Sequence, residues 1–135
     1  MTVDEANALC EGTMAGLIGF RLLEVDGTRA LARLEVRPDL LAPNGYLHGS
    51  TVTALAETAC GFGTAMSLPA ERRSRFTTIN LQCNFVGTAL DGWVACEATV
   101  SHAGQTTQVW DARVWREGDG RTVALFRCTQ LLLSG

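Results

Sequence analysis

Asn44-Gly45-Tyr46-Leu47-His48-Gly49-Ser50 runs without a break into Thr51–Met66, a stretch of small and apolar residues with one acid, Glu57, in its middle. Val52, Leu55, Ala56, Ala59, Phe62, Gly63 and Met66 recur at helical spacing. They make an apolar stripe, which predicts one long helix from Gly49 to about Met66. Pro69 stops it. A histidine and a glycine therefore stand at the first turn, where free backbone N–H groups and the positive end of the helix dipole collect. A carboxylate stands two turns further in.

Outward from this helix the chain reads as strands. Ile18–Val25 and Arg29–Val36 are strand-like runs split by Asp26-Gly27, a hairpin signal. Ala30, Ala32, Leu34 and Val36 share one face of the second run. Phe76–Val86, Trp93–Ser101, Thr106–Trp115 and Thr122–Leu133 follow, punctuated by Gly87, Asp91-Gly92, Ala103-Gly104 and Gly118-Asp119-Gly120. Before them all, Thr2-Val3-Asp4-Glu5 reads as a capping box opening a short helix that stops near Gly12. One long helix and about six strands joined by short turns define an α+β domain, residues 1–135. The economical packing is a curved antiparallel sheet wrapped round the helix.

Composition narrows the function. A net charge of −3 excludes a general nucleic-acid footprint. No apolar run approaches the ~20 residues of a membrane span, and the N-terminus has no signal-peptide pattern. Cys10, Cys60, Cys83, Cys96 and Cys128 are odd in number, widely spaced and without a C-x-x-C pair. That argues against a disulfide framework or zinc site and for a reducing compartment. A cytoplasmic protein without metal or cofactor is expected, and His48 and His102 lack metal-ligand spacing. A hydrophobic share of 47% in so small a domain points to a homo-oligomer interface. Trp93, Trp110 and Trp115 are expected to pack in the sheet or at that interface.

The chemistry gathers on the helix. Thr53, Cys60, Gly61 and Thr64 flank Glu57 at helical neighbour positions, and all are small. Such a flank leaves a groove beside the carboxylate, where partial desolvation would raise its pKa and suit it to general-base work. The alternative is a solvated glutamate or an arginine pair. At Gly49 a carbonyl can approach the backbone closely and be polarised by its N–H. His48 either assists there or only orders the turn. Gly49 and Glu57 are eight residues apart, roughly 12 Å along a helix axis. They cannot both touch one reacting group, so if both are catalytic they come from different subunits, and a two-fold dimer carries two sites.

These residues resemble the hotdog-fold acyl-CoA thioesterases, in particular the 4-hydroxybenzoyl-CoA thioesterases of the glutamate type and the phenylacetate-pathway thioesterases. The family loop G-x-x-H-G-[GAS] is matched by Gly45-Tyr46-Leu47-His48-Gly49-Ser50, with the helix acid, Glu57, nine residues after the histidine. Phe76–Leu81 and Val123–Gln130 also look like family segments. The resemblance implies a helix wrapped in a sheet, dimers that join their sheets, often dimers of dimers, and thioester hydrolysis between subunits. It implies Glu57 as nucleophile or general base, Gly49 N–H as oxyanion donor and His48 as an aid to carbonyl or sulfur. It implies Thr78 as orienter of water, the alternative being a β-former on a polar strand face. On period-two alternation Thr78 shares that face with Asn80, Gln82 and Asn84.

Two departures stand out. Relatives carry Asn or Gln six residues before the histidine, where this chain has Ala42, with Asn44 nearby but out of register. Relatives also place a basic residue in the turn that here reads Gly104-Gln105-Thr106-Thr107. Thr106 and, on electrostatic grounds, Arg72, Arg73 and Arg75 are the candidates for CoA phosphates. The expected partner is an acyl-CoA substrate with an aromatic or short acyl group. Ala42 and the neutral turn motivate the rival reading, a non-catalytic acyl-CoA or metabolite-binding module.

Overall fold

The computed structural model describes residues 1–134. The chain opens on helix α1 (Val3–Cys10). Its capping box is complete: Glu5 N–H donates to Thr2 Oγ1, and Thr2 N–H to Glu5 Oε2, each at 3.1 Å. A single helical turn, α2 (Met14–Leu17), comes next. At four residues it is too short to leave a periodic signal.

Strands β1 (Arg21–Val25) and β2 (Arg29–Glu35) form the expected antiparallel hairpin. Its turn works differently from the Asp-Gly signal, because Gly27 does not take a left-handed conformation. Asp26 builds the turn instead. Its Oδ1 accepts from Thr28 N–H and Thr28 Oγ1, both at 2.7 Å, and from Arg29 N–H at 2.9 Å. The Thr28 hydroxyl and these amides hold the Asp26 carboxyl below its ordinary range. Gly27 is there for space, since a Cβ would lie 3.1 Å from Ser67 Cα.

The long helix, α3, spans Gly49–Ser67. Val52, Leu55, Ala56, Ala59 and Cys60 are fully or almost fully buried. Burying a side chain such as Leu55 contributes about 1.5–3 kcal/mol. The helix ends at Leu68, which is extended as a residue before proline prefers.

Strands β3 (Phe76–Phe85), β4 (Trp93–Ala103), β5 (Thr107–Arg116) and β6 (Thr122–Leu132) complete a six-stranded antiparallel sheet in the order β1-β2-β4-β5-β6-β3. The sheet curves round α3, the hotdog arrangement. Ala30, Ala32 and Leu34 of β2, Cys96 and Ala98 of β4, Trp110 of β5 and Phe126 and Cys128 of β6 form its inner face. The outer face is charged: Arg29 pairs with Glu97 at 2.7 Å, and Arg127 with Asp111 at 2.6 Å. Such exposed pairs each contribute little. Trp110 is fully buried, whereas Trp93 and Trp115 lie under the Arg33 and Arg113 guanidinium groups. All five cysteines are free thiols. Among the described residues no helix is long and apolar enough to cross a membrane.

One face assignment is corrected. In β3, Thr78 pairs with Gln130 and Asn80 with Thr129, so Ile79 is a bulge residue without a partner. The extra residue shifts the alternation by one. Thr78 therefore leaves the face of Asn80, Gln82 and Asn84 and turns inward with Leu81, Cys83 and Phe85. Its Oγ1 donates to Oε1 of the fully buried Gln130 at 2.9 Å.

Candidate active site

The first turn of α3 is organised by His48. Its Nδ1 accepts from Ser50 N–H at 2.9 Å, and its backbone carbonyl accepts from Thr51 and Val52 N–H at 2.9 and 3.2 Å. Three of the first four helix amides are thus satisfied. The fourth, Gly49 N–H, has no acceptor among the described residues. A ring that accepts at Nδ1 and is neutral carries its proton on Nε2, so His48 also presents an outward N–H. The capping role and an assisting role are thereby compatible in one side chain.

Gly49 has a specific reason to be glycine. A Cβ there would lie 3.1 Å from the Phe85 ring. With no side chain, the space over the free amide stays open on the cleft side.

That space is part of a cleft of about 530 Å³ bordered by His48, Gly49, Thr53, Glu57, Phe85 and Met14. The structure thus brings three of the predicted catalytic residues to one opening. Glu57 is half-buried and makes no hydrogen bond or ion pair among the described residues. The arginine pair considered above is not formed. The predicted small-residue flank divides in two. Cys60 and Thr64 turn into the core, while Thr53 and Gly61 remain beside the carboxylate at the surface. Cys83 faces Thr53 from β3; burial pushes its thiol up, and the Thr53 hydroxyl partly offsets this.

Other predicted residues lie elsewhere. Thr78 is held by Gln130 and does not border this cleft. Asn44 is exposed in the loop, its Oδ1 accepting from Tyr46 N–H at 3.4 Å, and is likewise away from the cleft. Thr106, Arg72 and Arg75 gather at the far end of β6. Thr106 accepts from Leu132 N–H at 2.8 Å, Arg72 donates to the Leu133 carbonyl at 2.9 Å, and Arg75 to the Ser134 carbonyl at 3.0 Å.

Arg73 borders a second cleft, of about 460 Å³, with Leu9, Thr58, Gly61, Phe62 and Phe76. Thr58, next to Glu57, borders both clefts. The sequence gives no hint that α1 and α2 supply walls here. Met14, Ala15 and Ile18 line the first cleft, and Leu9 the second. Met14 and Leu9 are exposed apolar residues in short helices, which only the structure reveals.

Known proteins share this fold. Residues 44–123 match the family model for the thioesterase superfamily. The chain is 32% identical over 112 residues to the 1,4-dihydroxy-2-naphthoyl-CoA hydrolase of Listeria monocytogenes, covering 83% of this chain and 89% of that protein. A solved variant of thioesterase PA1618 from Pseudomonas aeruginosa superposes with a TM-score of 0.90 at 25% identity, covering 98% of this chain and 94% of that one. Thioesterase SAV0944 from Staphylococcus aureus gives a TM-score of 0.81 at 27% identity, covering 90% and 98%. It has been solved with a glutamine replaced by alanine and, separately, with a glutamate replaced by alanine, the two positions fifteen residues apart.

Proposed function

Because the chain belongs to the thioesterase superfamily and is a thioester hydrolase, we propose that it cleaves acyl-CoA thioesters to a free acid and CoA, with Glu57 and the Gly49 amide as its reacting groups. The supporting observation is that one cleft wall carries both an unoccupied helix N–H and an unpaired carboxylate, so two copies of the chain facing each other can bring the amide of one to the carboxylate of the other. The thioester oxygen lies against Gly49 N–H, where the amide and the helix dipole stabilise the charge that develops as the carbonyl carbon becomes tetrahedral. In one route Glu57 takes a proton from water as the water oxygen bonds to that carbon; the tetrahedral intermediate then collapses, the C–S bond breaks, and the proton held by Glu57 passes to the departing sulfur. In the other the carboxylate bonds to the carbon, C–S cleavage expels the CoA thiolate, which takes a proton from solvent, and water then hydrolyses the resulting mixed anhydride to free the acid and Glu57. His48 Nε2–H is placed to assist the oxygen or the sulfur.

The two reacting groups are roughly 12 Å apart along one helix axis. We therefore assign the Gly49 and Glu57 of one reaction to two protomers of a dimer. The sheet edge supports this. β3 is an edge strand, and Ile79 and Phe85 on it are 55% and 52% exposed. Arg72, Arg75 and Thr106 supply the positive and polar end for the CoA phosphates. Ala42 lacks the amide side chain that the sequence comparison expects there, which leaves the Gly49 N–H to carry more of the oxyanion.

The test is thiol release across a panel of acyl-CoAs by wild-type protein and Glu57→Gln. Hydrolysis by the first and its near-abolition in the second are expected. Full activity in the variant would sink the assignment. Single turnover in isotopically labelled water, followed by analysis of the Glu57 peptide, separates direct attack from base catalysis.

A further inference from the structure

We propose that the second cleft receives the acyl group of the thioester and that Arg73 selects acyl groups bearing an anionic or hydrogen-bond-accepting substituent at the end remote from the thioester; this rests on the hydrolase reading above. Two observations carry it. The first is continuity. Thr58 follows Glu57 in sequence and borders both clefts, so the second cleft adjoins the one that Glu57 borders. At about 460 Å³ the cleft falls within the size of small-molecule sites. Phe62 and Phe76 give it aromatic walls. Gly61, one turn beyond Glu57, leaves helix backbone bare on its floor, and a Cβ there would lie 3.9 Å from the Phe76 ring.

The second observation is charge. Arg73 is half-buried, its Nε is closed off from solvent, and its side chain has no hydrogen bond or ion pair among the described residues. Its neighbours differ: Arg72 and Arg75 donate to the Leu133 and Ser134 carbonyls. A guanidinium among apolar walls without a partner is unfavourable until an acceptor arrives. A plain aliphatic acyl chain fills the cleft and leaves that group unsatisfied. An aromatic acyl group with a remote hydroxyl or carboxylate satisfies walls and cation together, and sites built this way reject analogues lacking the polar group.

CoA phosphate is the other source of an acceptor, and the experiment separates the two. Acetyl-, benzoyl-, 4-hydroxybenzoyl- and 4-carboxybenzoyl-CoA are compared with wild type, Arg73→Gln and Arg73→Lys, with inhibition by free CoA measured alongside. Wild type is expected to favour the substituted rings. Arg73→Gln is expected to lower kcat/KM for those rings by about tenfold or more, leave acetyl- and benzoyl-CoA within about twofold, and leave CoA inhibition unchanged; Arg73→Lys recovers part of the loss. A uniform loss across the panel with weaker CoA inhibition assigns Arg73 to the phosphates and overturns the proposal, as does no change at all. Gly61→Leu, which fills the floor, is expected to lower kcat/KM for the aromatic acyl-CoAs several-fold more than for acetyl-CoA; an equal loss for both classes, or unchanged aromatic turnover, overturns the assignment of the cleft. Calorimetric binding of 4-carboxybenzoate to wild type and Arg73→Gln needs no turnover. Arg73-dependent binding without any hydrolysis would remove the hydrolase reading and keep the cleft. Hydrolysis without Arg73-dependent selectivity or binding would do the reverse.

Discussion

The two halves of α3 share a helix but not a task. From Gly49 to about Gly61 one flank is left uncovered: an amide without an acceptor, a carboxylate without a partner, and a glycine flooring a second cleft. At Gly63 and Thr64 the helix is sealed against the sheet. A Cβ at Gly63 would lie 2.4 Å from the Trp110 ring. Trp110 Nε1–H donates to Gln108 Oε1 at 2.8 Å, Gln108 Nε2–H to Ser67 Oγ at 2.8 Å, and Ser67 Oγ–H to the Thr64 carbonyl at 2.6 Å. The buried indole N–H and the buried Gln108 amide are thereby satisfied, with the exposed Ser67 as the outer end of the chain. Small residues thus mean opposite things along one helix. Near Glu57 they keep space empty, and near Trp110 they let space be filled.

The comparison predicts that substitutions in the open half change rate and those in the sealed half change stability. The largest effect is expected at Glu57. Glu57→Ala should lower kcat by about 10²–10⁴-fold, with a melting temperature close to wild type because no bond is lost. A large drop in melting temperature would show that the carboxylate is structural. Gly49→Pro is the sharper cut. Proline suits the first helical position and removes the N–H that lacks an acceptor. His48, at φ −65° and ψ 136°, already has the extended conformation a residue before proline needs. A side chain at this position meets the Phe85 ring at 3.1 Å, so Gly49→Ala, which keeps the N–H, is the control for added bulk. For Gly49→Pro a loss of about 10²–10³-fold in kcat is expected, with stability retained. Retained activity would remove Gly49 as the oxyanion donor.

In the sealed half, Gly63→Val drives a side chain into the Trp110 ring. Overpacking of this kind costs about 1–3 kcal/mol, read by urea denaturation. Turnover per folded molecule should stay near wild type. A rate loss exceeding the loss of folded protein would show that the two halves are mechanically coupled.

Much of this was legible before any coordinates. The apolar stripe of α3, the Thr2–Glu5 capping box and the alternation of Ala30, Ala32 and Leu34 are local patterns, and each appears as read. What escaped is non-local. The Ile79 bulge depends on how β3 meets β6, and nothing within Phe76–Phe85 marks it. The three arginines Arg72, Arg73 and Arg75 look equivalent in sequence. They part only because the end of β6 offers carbonyls to two of them and a cleft to the third. The divided flank of Glu57 is similar: helical spacing places Cys60 and Gly61 side by side, and only the curvature of the sheet buries one and exposes the other.

Thr78 is where the two halves are hardest to separate, and it sets the smallest predicted effect. The family resemblance implies an orienter of the attacking water, and the sequence alone allows a β-former on a polar strand face. The bulge turns it inward, where its hydroxyl is spent on Gln130, itself fully buried with Nε2 3.6 Å from Cys128 Sγ. A hydroxyl donating to a buried amide oxygen has its remaining lone pairs for water only if water enters that layer. Thr78→Val keeps the shape and removes the bond. If Thr78 belongs to the sealed layer, stability falls by about 1 kcal/mol and kcat holds within about twofold. If it reaches the open half through a water, kcat falls about tenfold or more while Gln130→Leu, which removes the same bond from the other side, leaves kcat nearly intact. Measuring both variants by denaturation and by turnover therefore draws the boundary between filled and empty space at a single hydroxyl.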